Sequence, residues 1–134
     1  MELNNILFEF SKIKYKYPDL HLKNDGDNVY IIGTLNFCKS YNDIIIDDLY
    51  KIKIIITNLY PKEIPTVFSI DNKIPNDYHT NSDKSLCLEL DQVIFEKLEY
   101  NINLNDFIEN FVIPYFYRYS YISKFNKEPW PAQL

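Results

Sequence analysis

The sequence predicts an α+β domain: a helix, an antiparallel β-meander, an irregular segment and a second helix. Three observations predict it. Apolar residues recur at helical spacing near the start, the period changes to two between Leu20 and Asn72, and a helical stripe returns after residue 103. With 134 residues, 46% hydrophobic and 16% aromatic, the chain is long enough to bury one core, so residues 1–134 are read as a single domain. No internal repeat, linker or low-complexity stretch interrupts it.

In the first element Leu3, Ile6, Leu7, Phe10, Ile13 and Tyr17 form one apolar stripe, and Pro18 stops the pattern. The opposite face carries Lys12 and Lys16. "NVYIIGTLNF", "LYKIKIIITNL" and "TVFSIDN" then read as strands rich in β-branched and aromatic residues. In the middle one Tyr50, Ile52, Ile54 and Ile56 share a face and Lys51 and Lys53 share the other, the alternation of a half-buried strand. "KNDGDN" predicts a hairpin turn; "KSYNDIIIDD" predicts a longer and looser connection. The meander therefore has three or four strands. Toward the C-terminus Asn103 is a candidate N-cap for a helix with Leu104, Phe107, Ile108, Phe111, Val112, Tyr115, Phe116, Tyr119 and Ile122 on one stripe, kinked or split at Pro114. The tail "NKEPWPAQL" is punctuated by proline and expected to be extended, with Trp130 covering the helix end.

Composition narrows the function. Two glycines leave no phosphate-cradling loop, and a net charge of −5 disfavours a nucleic-acid surface, which needs clustered Lys and Arg. A protein partner is the better expectation. No apolar run has the length of a membrane span, and "MELNNILFEF" lacks the basic start of a secretory leader, so a cytoplasmic protein with no membrane partner is expected. Cys38 and Cys87 have no CxxC spacing and are expected to be reduced thiols.

The chemistry concentrates between two landmarks. "YPKEIP" is a rigid, proline-bracketed turn, and "IPNDYHTNSDKSLCL" is an aperiodic stretch longer than ordinary connections, the kind that is functional or mobile. Asn81 precedes Cys87 by six positions, roughly 20 Å if extended, so contact requires the loop to fold back. "NSDKS" is a composition that does so, because Asn, Ser and Asp side chains bond their own backbone in turns. An amide donor returned near a thiol can stabilise the oxyanion formed when an acyl group on that sulfur is attacked. His79 is either the base of a Cys-His dyad or a loop-holding residue, and its neighbours Asp77 and Asn81 suit the second role. The acids Asp83, Glu89 and Asp91 around Cys87, against one cation, Lys84, are not the electropositive setting of a protease thiolate. One His and one Cys lack the further ligands of a metal site, so no metal or cofactor is expected. Cys38, at a strand end after Phe37, reads as structural, leaving Cys87 as the expected accessible thiol.

Tyr60-Pro61-x-x-x-Pro65, then His79-Thr80-Asn81, then Leu86-Cys87-Leu88, in a helix–meander–loop–helix order, resemble the ubiquitin-conjugating (E2) domain over nearly the whole chain. The resemblance implies a UBC (E2)-like fold in which Cys87 carries a protein C-terminus as a thioester, Asn81 supports its transfer to an amine and His79 shapes the loop. It also implies that Lys12 and Lys16 on the first helix dock an activating (E1-like) enzyme, although a lysine pair at this spacing is more often simply a solvated face. Thr80 replaces the usual Pro, Lys84 stands where Gly is common, and the Asn-to-Cys segment is shorter than in most eukaryotic members. The short loop is similar to compact standalone bacterial E2-like proteins. Some of these belong to cyclic-oligonucleotide anti-phage (CBASS) operons, where they conjugate the C-terminus of the nucleotidyltransferase (CD-NTase). A ubiquitin-like modifier or a CD-NTase C-terminus is thus the implied partner. The alternative is a non-catalytic E2-variant or RWD-like binding module, which commonly lacks the cysteine.

Overall fold

The computed structural model describes residues 3–130. Leu3–Lys16 forms helix α1, with Tyr17 N–H still bonded to the Ile13 carbonyl at 2.7 Å before Pro18 ends the helix. Its buried line is Ile6, Phe10, Ile13 and Tyr17, narrower than the expected stripe. Leu7 lies on the shoulder of that line and is 46% exposed, while Leu3 is partly buried at its end.

Four strands follow in one antiparallel sheet of order β1-β2-β3-β4: Leu20–Asn24, Val29–Tyr41, Ile44–Ile56 and Thr66–Ser69. The β1–β2 turn forms where "KNDGDN" predicts it. Gly26 takes a φ of +99°, and the Asn28 N–H donates to Asp25 Oδ1 at 3.0 Å. The second connection is not loose. Asn42 and Asp43 take φ values of 49° and 65°, making a two-residue hairpin loop whose twist matches the strands, and Tyr41 pairs directly with Ile44. The expectation failed because Asp48 breaks the apolar alternation: it lies on the inner face and accepts a hydrogen bond from Ser120 Oγ at 2.7 Å.

Tyr50, Ile52, Ile54 and Ile56 are buried as predicted, whereas Lys51 is exposed and Lys53 half-buried. The apolar face packs against the C-terminal helix, with the Tyr50 and Phe116 rings stacked at 4.4 Å. That helix runs as α3 (Leu104–Phe107), a π turn (Ile108–Val112) and α4 (Ile113–Phe125). Asn103 caps it, accepting from the Asp106 N–H at 2.9 Å. Glu9 of α1 adds a second cap, its carboxylate accepting from the Leu104 N–H at 2.8 Å. Pro114 has no N–H for the carbonyl four residues back, and the wider π turn just before it accommodates the ring while the dihedrals stay helical. The split predicted at Pro114 is thus a change of hydrogen-bond register.

Leu104, Phe107, Ile108, Phe111, Val112, Tyr115 and Phe116 are buried, but Tyr119 and Ile122 are half-buried. Ile113, Tyr117 and Tyr121, outside the predicted stripe, are buried as well. The reason is the length of the β2–β3 arm and the return of the chain after α4. The Tyr117 hydroxyl donates to the Ile44 carbonyl at 2.7 Å, and Trp130 stacks on Tyr117 at 5.9 Å. Trp130 thus covers the side of α4 rather than its end, and residues 131–134 of the tail lie outside the described residues. One helix was not expected: α2, Asp91–Lys97, too short to show a period and burying Ile94 alone. Among the described residues no helix is long and apolar enough to cross a membrane.

A charge cluster ties α1 to the π turn. Glu109 accepts from the Tyr17 hydroxyl at 2.7 Å and pairs with Lys39 at 3.0 Å and Lys16 at 3.6 Å. Burial pushes its pKa up, but the hydrogen bonds from Tyr17 and Lys39 and the two lysine charges outweigh this and hold it below the usual carboxylate range. A folded pKa below the unfolded one stabilises at pH above about 4.3, and that stability disappears as pH falls through the folded value. Glu109→Gln should therefore cost about 1–2 kcal/mol near neutrality, discounted because both lysines are half-exposed. The gap in Tm between wild type and variant should narrow below about pH 4. A gap independent of pH would show that packing, and not charge, is what Glu109 supplies.

Candidate functional site

The "YPKEIP" segment seats the site from below. Tyr60, followed by a cis peptide to Pro61, is buried and donates its hydroxyl to Glu9 at 2.7 Å, while Ile64 and Pro65 are buried at the entry to β4. Between Ile74 and Leu90 the chain has no helix or ladder strand, and it folds back as the sequence requires. The Cys87 N–H donates to the His79 carbonyl at 2.7 Å, the Asn81 N–H to the Ser85 carbonyl at 2.8 Å, and Thr80 and Leu86 form a β-bridge. The Leu86 N–H reaches the Val67 carbonyl at 2.8 Å, anchoring this small hairpin to the sheet. Lys84 makes its tightest bend with a φ of 72°, a left-handed backbone that glycine takes at least cost.

Leu86 is buried and Cys87 is exposed. The Cys87 thiol stands between two depressions. One, of about 570 Å³, is shared with Asn81, Ser85 and the Ile64–Pro65 turn; the other, of about 380 Å³, is walled by His79, Tyr115, Arg118 and Trp130. Among the described residues the Cys87 Sγ has no hydrogen bond to a base. Asn81 and Cys87 therefore face one depression, but the Asn81 amide donates to Ser85 Oγ at 3.0 Å.

His79 is not placed as a base. Its Nε2 lies 3.0 Å from Arg118 Nη1, and a guanidinium has no lone pair to offer, so the imidazole accepts there and carries its proton on Nδ1. Arg118 is itself held by Glu128 at 2.7 Å. The Tyr115 hydroxyl donates to the Tyr78 carbonyl at 2.8 Å and clamps the same loop to α4. Burial first, then the neighbouring Tyr78 and Cys87, push the Tyr115 pKa far above its ordinary value, so this phenol stays neutral. Burial likewise pushes Tyr78 up to about 12, and its buried hydroxyl has no hydrogen-bond partner among the described residues.

Sequence reasoning missed Ser85, Tyr115 and Arg118. Arg118 was open to detection as the chain's only arginine, one turn after Pro114 in the C-terminal helix; Tyr115 lies on the apolar stripe, where its sequence position signals core packing alone. Lys12 and Lys16, two of the three lysines of α1, meet different neighbours. Lys12 sits over the Phe8 ring at 4.7 Å, and Lys16 bonds Asn105 Oδ1 at 2.9 Å. Among the described residues no group of three or more His, Cys, Asp or Glu side chains is placed to hold a metal ion.

Cys38 corrects an expectation. It lies on the outer face of β2 opposite Asp47, not at a buried strand end, and is as free and exposed as Cys87. Brief alkylation of the native protein should modify both thiols, read as two added masses; protection of Cys38 would contradict its position on the sheet.

No family model, curated protein or solved structure matches this chain.

Proposed function

We propose that this chain is an E2-like conjugating enzyme with a UBC-type arrangement of its α+β fold. The observation that carries the reading is an exposed thiol, Cys87, on a hairpin folded so that Asn81 borders the same depression. In the proposed cycle the Cys87 sulfur exchanges with an activated thioester of a protein C-terminus, releasing the donor's thiol. An amine then attacks the new thioester, an amide forms, and Cys87 regains its thiol. Asn81 would donate an N–H to the oxyanion of that second step. His79, bonded through its side chain to Arg118 and through its carbonyl to the Cys87 N–H, would hold the loop. The proposed cargo is a ubiquitin-like modifier or a CD-NTase C-terminus, delivered by an E1-like enzyme in a cytoplasmic anti-phage system. The left-handed backbone at Lys84 supports the resemblance, because it retains the geometry for which glycine is otherwise used.

A binding module is the second reading, favoured by one observation: the Asn81 amide is bonded to Ser85 and, among the described residues, no base touches the thiol. A non-reducing gel of the chain with an E1-like enzyme and a ubiquitin-like modifier or CD-NTase separates the two. The enzyme reading expects a thiol-sensitive adduct that Cys87→Ala abolishes and Cys38→Ala leaves intact. If wild type and Cys87→Ala support the same partner-dependent activity with no thiol-sensitive species, the module reading replaces it.

A further inference from the structure

Ser85 is a buried polar residue, 4% exposed, in the turn that separates Asn81 from Cys87. Its backbone N–H and its hydroxyl both reach Asp83 Oδ1, at 2.9 Å and 2.5 Å. A carboxylate only accepts, so the single hydroxyl proton of Ser85 is committed to Asp83. Toward Asn81 the Ser85 oxygen can then present nothing but a lone pair. The carboxamide must turn its NH₂ end to that oxygen, as the 3.0 Å contact from Asn81 Nδ2 records; the flipped amide would set two lone pairs against each other.

From this chain of bonds we infer that Asp83 and Ser85 are positioning residues that fix which end of the Asn81 carboxamide is the donor. The inference rests on the reading of Asn81 as oxyanion donor. One Nδ2–H is spent on Ser85, and the second has no partner among the described residues, which leaves it for the oxyanion. The turn itself does not depend on this relay. Main-chain bonds from Asn81 N–H to the Ser85 carbonyl and from Lys84 N–H to the Asn81 carbonyl, 2.8 Å and 2.9 Å, already close it. Asp83 is held ionised by the Ser85 hydroxyl and the Ser85 N–H, which lower its pKa, so the polarity of the relay persists across the neutral range.

The test uses the full chain carrying Cys38→Ser. A glycylglycine aryl thioester loads Cys87 by exchange, releasing the aryl thiol, and free lysine then discharges it as an amide; intact mass follows both steps. Ser85→Ala should slow discharge roughly threefold to tenfold, the effect of one lost hydrogen bond. Ser85→Thr should restore it, and Ser85→Ala should cost nothing further in an Asn81→Ala background. Asp83→Ala, which removes the acceptor and frees the Ser85 hydroxyl proton to turn toward Asn81, should be as slow as Ser85→Ala and gives a second route should that variant fold poorly. The Asn81 side-chain NH₂ resonances report the orientation without any turnover and should shift in Ser85→Ala and Asp83→Ala but not in Ser85→Thr. Unchanged resonances, or an equal loss from Ser85→Ala whether or not Asn81 is present, would overturn the positioning role. If Asn81→Ala discharges as fast as wild type while the resonances shift as expected, the conjugating reading fails and the relay stands.

Discussion

Asn81→Ala should let Cys87 take up an acyl group and then hold it. On the proposed reading Asn81 supplies one oxyanion donor to the amine step, and loss of such a donor slows acyl transfer by about 10² to 10³, or roughly 2.7 to 4 kcal/mol, whereas loading exchanges one thioester for another with a stronger nucleophile, a thiol, and depends less on that donor. A loop residue often confounds such a test, because its removal can displace the nucleophile. Here the risk is small. The hairpin is closed through main-chain atoms of residue 81, through the Cys87 N–H to the His79 carbonyl, and through the Leu86 anchor on β4, none of which alanine removes. On a non-reducing gel the variant should accumulate its thiol-sensitive adduct while wild type discharges it over the same interval. Equal failure to charge and to discharge would point to a misplaced Cys87 and against a specific role for Asn81 in transfer.

Gly33→Ala should remove more stability than any surface change in the sheet. Gly33 sits in β2 with a φ of +142°, and a Cβ built there would lie 2.1 Å from the Asp19 carbonyl oxygen. That oxygen cannot withdraw cheaply, because it accepts from the Thr34 N–H at 3.1 Å and leads directly into Leu20, which is fully buried. Strained backbone and an overpacked contact cost about 1–3 kcal/mol each, so the variant should lose roughly 2–6 kcal/mol. Urea unfolding followed by tryptophan and tyrosine fluorescence measures it, with a lowered midpoint and an unchanged slope as the expected pattern. A loss below about 0.5 kcal/mol would mean that the start of β1 shifts freely away from β2. The Gly26→Ala control has nothing within 4 Å of its added Cβ, so its cost should come only from the φ of +99°.

Several features were legible because each depends on near neighbours in the chain. Pro18 bounds α1, Asn103 caps α3, and the Tyr50–Ile56 alternation needs only a pleated backbone beside an apolar layer. The fold-back of the Asn81–Cys87 loop was readable from its turn-forming side chains, although the bonds that close it are main-chain ones. What failed did so where a distant partner rewrites the local rule. Asp48 looks like a solvent residue until Ser120, far along the chain, gives its inward carboxylate a donor. Cys38 looks buried until the register shows that Phe37 points inward and its neighbour outward.

By itself the sequence determined the α+β class, the order of helix, meander, loop and helix, the N-cap of the last helix and the polar loop that delivers an exposed Cys87, since short-range sterics, hydrophobic period and turn chemistry decide all of these. Only the tertiary structure decided which atoms meet there: His79 bonded to Arg118 and not to the thiol, the Asn81 amide turned to Ser85, and α4 buried on both flanks by the β2–β3 arm and Trp130. Hydrogen-bond partners separated by tens of residues are chosen by packing, and no periodicity along one segment records which distant side chain will stand opposite it.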